Sequence, residues 1–317
     1  MVGTRAAMIA YVFPGQGAQF VGMGGEMFAA WSEAHAVAQE VAEASGVDLL
    51  RLMTEGPPDA LTMTRHAQLA LLACGVAAAR VLRSLGAPAP DVVAGHSLGE
   101  YTAVQVAGGL EVAAAARLVS VRGQAMAEAP AGTMAAVLGM EDAALEQLCR
   151  EAPPTVVLAN RNAPGQSVIS GTAEGIAWVA REGAGRGARR VLPLQVSGAF
   201  HSPLMAGALA PLSRALAQAP WQPLGCPVVH NVDAAANTDA AQLADRLGRQ
   251  LAAGVDWVGC VRTMSAMGVT TFVELGAGKT LSGLIRKILP EARVLSAATP
   301  GELRAVAAAL TGAGVAA

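Results

Sequence analysis

Residues 91–103 decide the fold, and they read DVVAGHSLGEYTA. A short apolar run leads into a turn with Gly95 and Gly99 on either side of Ser97, and a helical pattern follows. Glycines here let neighbouring backbone approach without a Cβ clash, and the amides after the serine point at developing negative charge. The stretch predicts a strand, a tight turn and a helix that expose Ser97 as a nucleophile. An ordinary glycine-rich turn is the alternative.

Outward from this stretch, short apolar runs alternate with longer Ala-rich helical patterns, which indicates an α/β fold with a largely parallel sheet. After about residue 126 the pattern changes to β-α-β-β-α-β, the order of a ferredoxin-like module. We therefore predict a hydrolase-like parallel-sheet core formed by residues 1–127 and 199–317. A small ferredoxin-like subdomain, residues 128–198, is inserted into it and flanks a cleft.

Two helices are predicted with different strength. The segment from Leu61 to Leu85 has the pattern of one long helix, whereas the Ala/Gly-rich tail after about Ala297 predicts a weakly specified one. The apolar run that ends at Phe13 predicts a first core strand rather than a signal peptide, because it is short and lacks a cleavage site.

Composition excludes several classes of protein. Apolar residues make up 53% of the 317 residues and charged residues 15%, so the chain can bury a core and is not disordered. The longest uncharged runs, residues 191–213 and 215–232, each contain three prolines, which argues against a membrane span. A net charge of −2 argues against general affinity for nucleic acid or anionic lipid.

The four cysteines stand far apart without a Cys-x-x-Cys pair, so neither a zinc cage nor a disulfide framework is predicted. A reducing cytoplasm is the expected location.

A nucleophilic serine needs a base, and the chain has five histidines. His96 is too close in sequence to turn back on Ser97, and two others lie in amphipathic helical stretches. His201 stands at the break between the inserted module and the returning α/β pattern, which places it at the cleft. His230 ends a predicted strand and remains a competitor.

Two glycine-rich loops resemble nucleotide-binding motifs incompletely. Residues 13–19, FPGQGAQ, are followed by Phe20 where a third glycine is needed, and residues 276–280, GAGKT, have Val273 where a phosphate loop has glycine. The first predicts a loop whose glycines free backbone amides to face a ligand, and the second predicts a turn that caps a strand. Arg122 is a cation in an apolar helix; it either forms a structural contact or holds a carboxylate in the cleft.

Together these segments resemble the malonyl-CoA:acyl carrier protein transacylases over about residues 8–290. The matching segments are residues 13–19, 95–100, 122–123, 160–166, 200–202, 231–233, 249–251 and 274–276. The resemblance implies that Ser97, deprotonated by His201, takes malonyl from coenzyme A and passes it to the phosphopantetheine thiol of acyl carrier protein. It implies a Ser-His dyad whose histidine is oriented by the main-chain carbonyl of Gln250, and neither a cofactor nor a metal.

The same resemblance assigns further roles. The backbone amides of Gln16 and Leu98 form the oxyanion hole, and Arg122 pairs with the malonyl carboxylate. His96 and Asn162 are expected to line the cleft and contact the substrate, and Asn160 and Gln166 are also expected to line the cleft.

Phe200 resembles the aromatic residue that favours malonyl over branched malonyl groups. Arg161 departs from the uncharged residue common in the family and is a candidate contact for the acidic carrier protein. The expected protein is a monomer that binds neither nucleic acid nor membrane.

Other functions remain open on sequence grounds. Within the same chemistry, the chain could serve a polyketide or malonate decarboxylase system rather than fatty acid synthesis. A serine esterase needs only the serine turn. Nucleotide binding, or carrier docking without catalysis, rests on the incomplete glycine loops and on a basic cluster formed by Arg181, Arg186, Arg189 and Arg190.

Overall fold

The computed structural model describes residues 8–196 and 198–312. The strands are β1 (Met8–Phe13), β2 (Val92–Gly95), β3 (Thr133–Leu138), β4 (Val156–Ala163), β5 (Gln166–Gly171), β6 (Arg190–Pro193), β7 (Val228–Val229), β8 (Ala236–Asn237), β9 (Val255–Asp256), β10 (Val269–Leu275) and β11 (Arg293–Ala297). The helices are α1 (Gly25–Ala30), α2 (Ser32–Ser45), α3 (Leu49–Glu55), α4 (Pro58–Thr62), α5 (Thr64–Ser84), α6 (Gly99–Val106), α7 (Val112–Ala127), α8 (Asp142–Glu151), α9 (Ala173–Gly183), α10 (Ala206–Ala217), α11 (Leu243–Ala252), α12 (Trp257–Met267), α13 (Thr280–Ile288) and α14 (Pro300–Thr311).

The larger sheet has the strand order β11-β10-β1-β2-β7-β8, and every pair is parallel except β7 with β8. Its central strands are nearly continuous apolar runs because helices cover both faces. Phe13 is in register with Gly95, so β1 and β2 end side by side. The loop after β1 and the serine turn after β2 therefore meet at one edge of the sheet, where α/β proteins commonly bind ligands.

The smaller sheet has the order β6-β3-β5-β4-β9. Its first four strands pair antiparallel in the order expected of a ferredoxin-like β-α-β-β-α-β unit, with α8 and α9 packed against it. The fifth strand, β9, comes from the later part of the chain and pairs parallel with β4 at Asn160 and Val255. The mixed α/β fold is thus as predicted, while the boundaries at 127/128 and 198/199 stay predictions.

Helix α5 is long and apolar enough to be compared with a membrane span, but 78% of its most apolar stretch is buried inside the protein. It packs against α2 and α7 as a core helix. The single helix predicted from Leu61 to Leu85 is wrong at its start, because the chain leaves the helical conformation at Met63 and separates α4 from α5.

The tail helix α14 is better specified than predicted. The Thr299 side chain accepts a hydrogen bond from the Glu302 amide, and the Glu302 carboxylate accepts one from the Thr299 amide. This capping box satisfies amides at the helix start, and Leu303 and Val306 are buried against the core.

Candidate active site

Ser97 lies in a turn between β2 and α6 that only glycine neighbours permit. Its φ angle is 53°, in the left-handed region that non-glycine residues rarely adopt. A Cβ on Gly95 would lie 1.9 Å from the Gly99 carbonyl, and a Cβ on Gly99 would lie 2.0 Å from the Phe13 carbonyl oxygen. The backbone is therefore packed too closely for any side chain at these two glycines, and the strained serine is held at the head of α6.

The structure brings His201 to Ser97 across 104 residues of sequence. The Ser97 hydroxyl lies 2.7 Å from His201 Nε2. On the other side of the ring, Nδ1–H donates to the Gln250 main-chain oxygen at 2.9 Å. Since a carbonyl oxygen only accepts, the proton lies on Nδ1 and the Nε2 lone pair faces the serine. This is the arrangement of a nucleophile with its general base.

Burial keeps the His201 imidazole neutral. Burial, followed by the nearby Arg122 charge, lowers the pKa of His201 to about 3. Both effects disfavour the protonated ring, since a buried cation beside another cation is poorly solvated and repelled. At neutral pH the ring is therefore uncharged, and its Nε2 can accept the serine proton.

Arg122 is a buried cation that has no salt bridge in the described residues, and the charge of the buried Glu100 carboxylate reaches it only from beyond salt-bridge distance. It is 1% exposed, and its Nη2 donates to Ser97 Oγ at 3.0 Å and to Gln250 Oε1 at 3.1 Å. The Tyr101 ring lies under it, with 5.4 Å between the guanidinium carbon and the ring centre. Within residues 8–196 and 198–312 no carboxylate comes within salt-bridge distance of it, and Nε has no hydrogen-bond partner. Such a group favours an anionic ligand.

A cavity of about 360 Å³ opens onto these three side chains. The larger sheet contributes the loops after β1 and β2, and the smaller sheet contributes residues of β3 and β4, so the cavity lies between the two sheets. Its lining residues are Gln16, Gly17, Gln19, Thr62, His96, Ser97, Leu98, Arg122, Met126, Met134, Asn160, Leu194, Gln195, Val196, Phe200 and His201.

Gln16 and Leu98 both line this cavity, as predicted for oxyanion-hole residues. The two loops are tied together because the His96 amide donates to the Phe13 oxygen at 3.0 Å. In the part of the chain that the structure describes, neither the Gln16 nor the Leu98 amide donates to a protein acceptor. Both donors are thus available to a ligand oxygen, and their catalytic role stays a prediction.

His96 and Phe200 line the cavity, but Asn162 and Gln166 are not among its lining residues. Its Oδ1 lies 2.8 Å from His96 Nε2. Asn162 therefore orients the His96 ring instead of facing substrate directly. Burial lowers the pKa of His96, and the Asn162 hydrogen bond opposes that shift. Asn160, two residues earlier on β4, does line the cavity, and its Oδ1 is buried without a protein partner.

His230, the competing base, faces a different group. Its Nδ1 lies 2.7 Å from Glu100 Oε1, and both side chains are completely buried. Its Nε2 lies 3.4 Å from the Asn237 amide. Both ring nitrogens are occupied by these contacts, so His201 is the histidine that the fold presents to Ser97.

Two residues hold the serine turn in ways that the sequence did not reveal. Asn231 accepts from the Ser97 amide and donates to the Gly95 oxygen, each at 2.7 Å. The Gln250 side-chain amide donates to the main-chain oxygen of Ser97, also at 2.7 Å. Asn231 belongs to one of the matching motifs, which is the only sequence signal that could have found it.

The glycine loop at 276–280 offers no phosphate site. The amides of Leu281 and Ser282, at the start of α13, donate to the Glu274 carboxylate at 3.0 and 2.7 Å. A buried carboxylate of the chain itself therefore occupies the position that a phosphate would need. The nucleotide-binding alternative is unsupported at this loop.

Comparisons with known proteins agree with this geometry. The family model described as "Acyl transferase domain" matches residues 10–304. A malonyl CoA-acyl carrier protein transacylase from Escherichia coli strain K12 is 42% identical, over 95% of this chain and 98% of the relative. The crystal structure of a malonyl-CoA:acyl carrier protein transacylase from Xanthomonas oryzae has a TM-score of 0.93 at 41% identity, over 96% of this chain and 99% of that one.

A third relative is a malonyl-transacylase solved in complex with a type II PKS acyl-carrier protein. It has a TM-score of 0.92 at 34% identity, and the match covers 96% of this chain and 100% of that one. A serine with its base, a cavity beside them and these matches over nearly the whole length lead to one conclusion. The chain belongs to the acyl transferase family and is an acyltransferase.

Proposed function

We propose that this protein transfers a malonyl group from malonyl-CoA to the phosphopantetheine thiol of acyl carrier protein, through an ester on Ser97. The observation that carries the proposal is the position of Ser97 Oγ, which lies between His201 Nε2 at 2.7 Å and Arg122 Nη2 at 3.0 Å. A nucleophile, its base and an unpaired cation in one cavity suit an acyl group that ends in a carboxylate.

In the first step the Ser97 hydroxyl gives its proton to His201 Nε2 while Oγ attacks the thioester carbonyl. The amides of Gln16 and Leu98 stabilise the oxyanion, where loss of one donor typically costs about 2.7 to 4 kcal/mol. Collapse of the intermediate breaks the carbon–sulfur bond, and the coenzyme A sulfur takes the proton from the imidazolium. The product is a malonyl ester on Ser97.

The second step reverses the roles. The carrier protein's thiol gives its proton to His201 and attacks the ester carbonyl. Ser97 leaves and recovers the proton from the imidazolium. Because the Gln250 carbonyl holds the ring from the other side at 2.9 Å, the histidine needs no acidic partner to keep its tautomer through both steps.

Arg122 supplies the preference for malonyl. Its Nη2 is engaged by the protein, while Nη1 and Nε have no acceptor in the described residues. Nη1 can donate to the substrate carboxylate, which would neutralise the buried charge. Phe200 is 4% exposed and lines the same cavity, so its ring limits the room for a 2-methyl group. One methyl group is worth about 1 to 3 kcal/mol of discrimination.

The carrier protein is the expected partner, because the relatives described above are named for it and one was solved with it. Arg161 and Arg186 are poor candidates for the docking surface, since they pair with Glu146 and Glu151. Arg189 and Arg190 are exposed and form no salt bridge within the described residues. They therefore suit an acidic partner, and neutralising them should slow association at low salt.

Fatty acid synthesis is the role that the names of the most similar relatives favour, and the carrier-protein complex from polyketide synthesis keeps that pathway as the second candidate. We expect the enzyme to act in the cytoplasm as a monomer and to need neither a cofactor nor a metal.

The proposal is tested by mixing the enzyme with malonyl-CoA and either holo- or apo-acyl carrier protein. Intact mass of the carrier should increase by one malonyl group in the holo sample and stay unchanged in the apo sample, which lacks the thiol. Release of free malonate without a carrier adduct would indicate an esterase and contradict the proposal.

A further inference from the structure

The side chain of Gln250 connects the cation of the site to the serine turn. Gln250 lies on α11 and is completely buried. We infer that this side chain is a positioning residue that fixes the Arg122 guanidinium and thereby selects acyl groups bearing a carboxylate. The inference rests on the proposed function and assigns to the amide a role separate from that of the Gln250 main-chain carbonyl.

The amide of Gln250 can adopt only one orientation. Its Nε2 donates to the Ser97 main-chain oxygen at 2.7 Å and to Glu100 Oε2 at 2.9 Å. Glu100 Oε2 is an acceptor here, because it also accepts a hydrogen bond from the main-chain amide of Asn231 at 3.0 Å. Turning the amide over would place its oxygen against two acceptors. Oε1 must therefore face Arg122.

This orientation determines which donors of Arg122 remain for substrate. Nη2 is shared between Gln250 Oε1 at 3.1 Å and Ser97 Oγ at 3.0 Å. A guanidinium is planar and rigid, so two acceptors on one nitrogen, with the Tyr101 ring beneath the plane, fix its rotation. Nη1 is left without an acceptor in the described residues.

The Gln250 side chain must be uncharged for Arg122 to keep its charge available to the substrate. A carboxylate at the same place would form an ion pair with Arg122 and neutralise it without substrate. An amide oxygen accepts one hydrogen bond and leaves the guanidinium without a contacting counter-charge in a buried site. The site thus keeps its charge for the incoming acyl carboxylate while holding the guanidinium in one orientation.

The test uses Gln250→Met, which retains the main-chain carbonyl that orients His201 and replaces the amide by an apolar side chain of similar length. Single-turnover acylation is measured with malonyl-CoA and with acetyl-CoA. Loss of a hydrogen bond to a charged group predicts a fall in kcat/KM for malonyl of about 10- to 150-fold. Acetyl has no carboxylate but depends on the same serine turn, so its kcat/KM should fall by about two- to tenfold through loss of the hydrogen bond from the Gln250 amide to the Ser97 main-chain oxygen, and the loss for malonyl should exceed it by about tenfold or more.

Asn231→Ser is the matched control, because Asn231 holds the same serine turn without touching Arg122. It should lower acylation by both acyl groups to the same extent. Equal losses of malonyl and acetyl transfer in Gln250→Met would assign the side chain a merely structural role and overturn the inference. If Gln250→Met does not fold, Gln250→Asn provides the same comparison, since it withdraws the amide oxygen from Arg122. A parent enzyme without preference for malonyl would instead refute the proposed function.

Discussion

Replacing Arg122 by alanine should separate malonyl transfer from acetyl transfer. In the free enzyme the guanidinium is 1% exposed, donates to Ser97 and Gln250, and has no anionic partner in the described residues. A bound malonyl group would supply that anion. Arg122→Ala therefore leaves the substrate carboxylate buried without a counter-charge, while an acetyl group has no charge to leave unpaired.

The magnitude follows from the burial of the pair. Removing one partner of a buried ion pair typically costs about 3 to 5 kcal/mol. Since about 1.4 kcal/mol corresponds to a factor of ten, kcat/KM for malonyl should fall by about 150- to 5,000-fold. For acetyl we expect a change within about tenfold, because the variant loses only the hydrogen bond from Arg122 Nη2 to Ser97 Oγ.

The assay is the rate of enzyme acylation by malonyl-CoA and acetyl-CoA, followed by intact mass in a quench-flow series. Arg117→Ala is the matched control, since Arg117 is an exposed arginine on the same helix, α7, and should change neither rate. Equal losses for both acyl groups in Arg122→Ala would refute the carboxylate clamp.

Three further predictions concern the base and the serine turn. Because the pKa of His201 is lowered to about 3, the neutral base persists as pH falls. The kcat/KM for acylation should vary less than about threefold between about pH 7 and about pH 5, whereas a histidine with the ordinary pKa of about 6.5 would cause a loss of about 25-fold, with circular dichroism verifying the fold. His201→Asn retains a donor to the Gln250 carbonyl but no base, so its acylation rate should fall by about 10²- to 10⁴-fold. His230→Asn retains a donor to its carboxylate partner, so its rate should remain within about tenfold of the parent. A larger loss in His230→Asn than in His201→Asn would make His230 the base. Gly99→Ala should lower the free energy of unfolding by about 3 kcal/mol in urea titrations, because its Cβ would lie 2.0 Å from a backbone oxygen, and unchanged stability would contradict the tight packing of the turn.

The parts of the fold with a local pattern were predictable from sequence. Strand β1 ends at Phe13 as predicted, and the six elements of the inserted unit occur in the predicted order. Apolar periodicity and glycine-flanked turns are properties of neighbouring residues, so one sequence is enough to recognise them. The pairing of β9 with β4 was missed because a two-residue strand has no periodicity to detect.

The site was predictable only where a motif carried it. Ser97 and His201 meet as expected, and the acyltransferase prediction is confirmed by the family match. The contacts of the Gln250 side chain were not predicted, because they join residues 128 and 153 positions apart and leave no local signal. For the same reason the sequence could not distinguish a structural Arg122 from one that lacks a counter-charge.

The acyl-enzyme itself is tested most directly by intact mass of the protein after mixing with malonyl-CoA, for the parent and for Ser97→Ala. We expect one malonyl adduct on the parent, located on the peptide that contains Ser97, and no adduct on the variant. An adduct of equal occupancy on Ser97→Ala, or a parent that turns over malonyl-CoA without ever carrying the acyl group, would contradict a mechanism in which the serine hydroxyl is activated by His201.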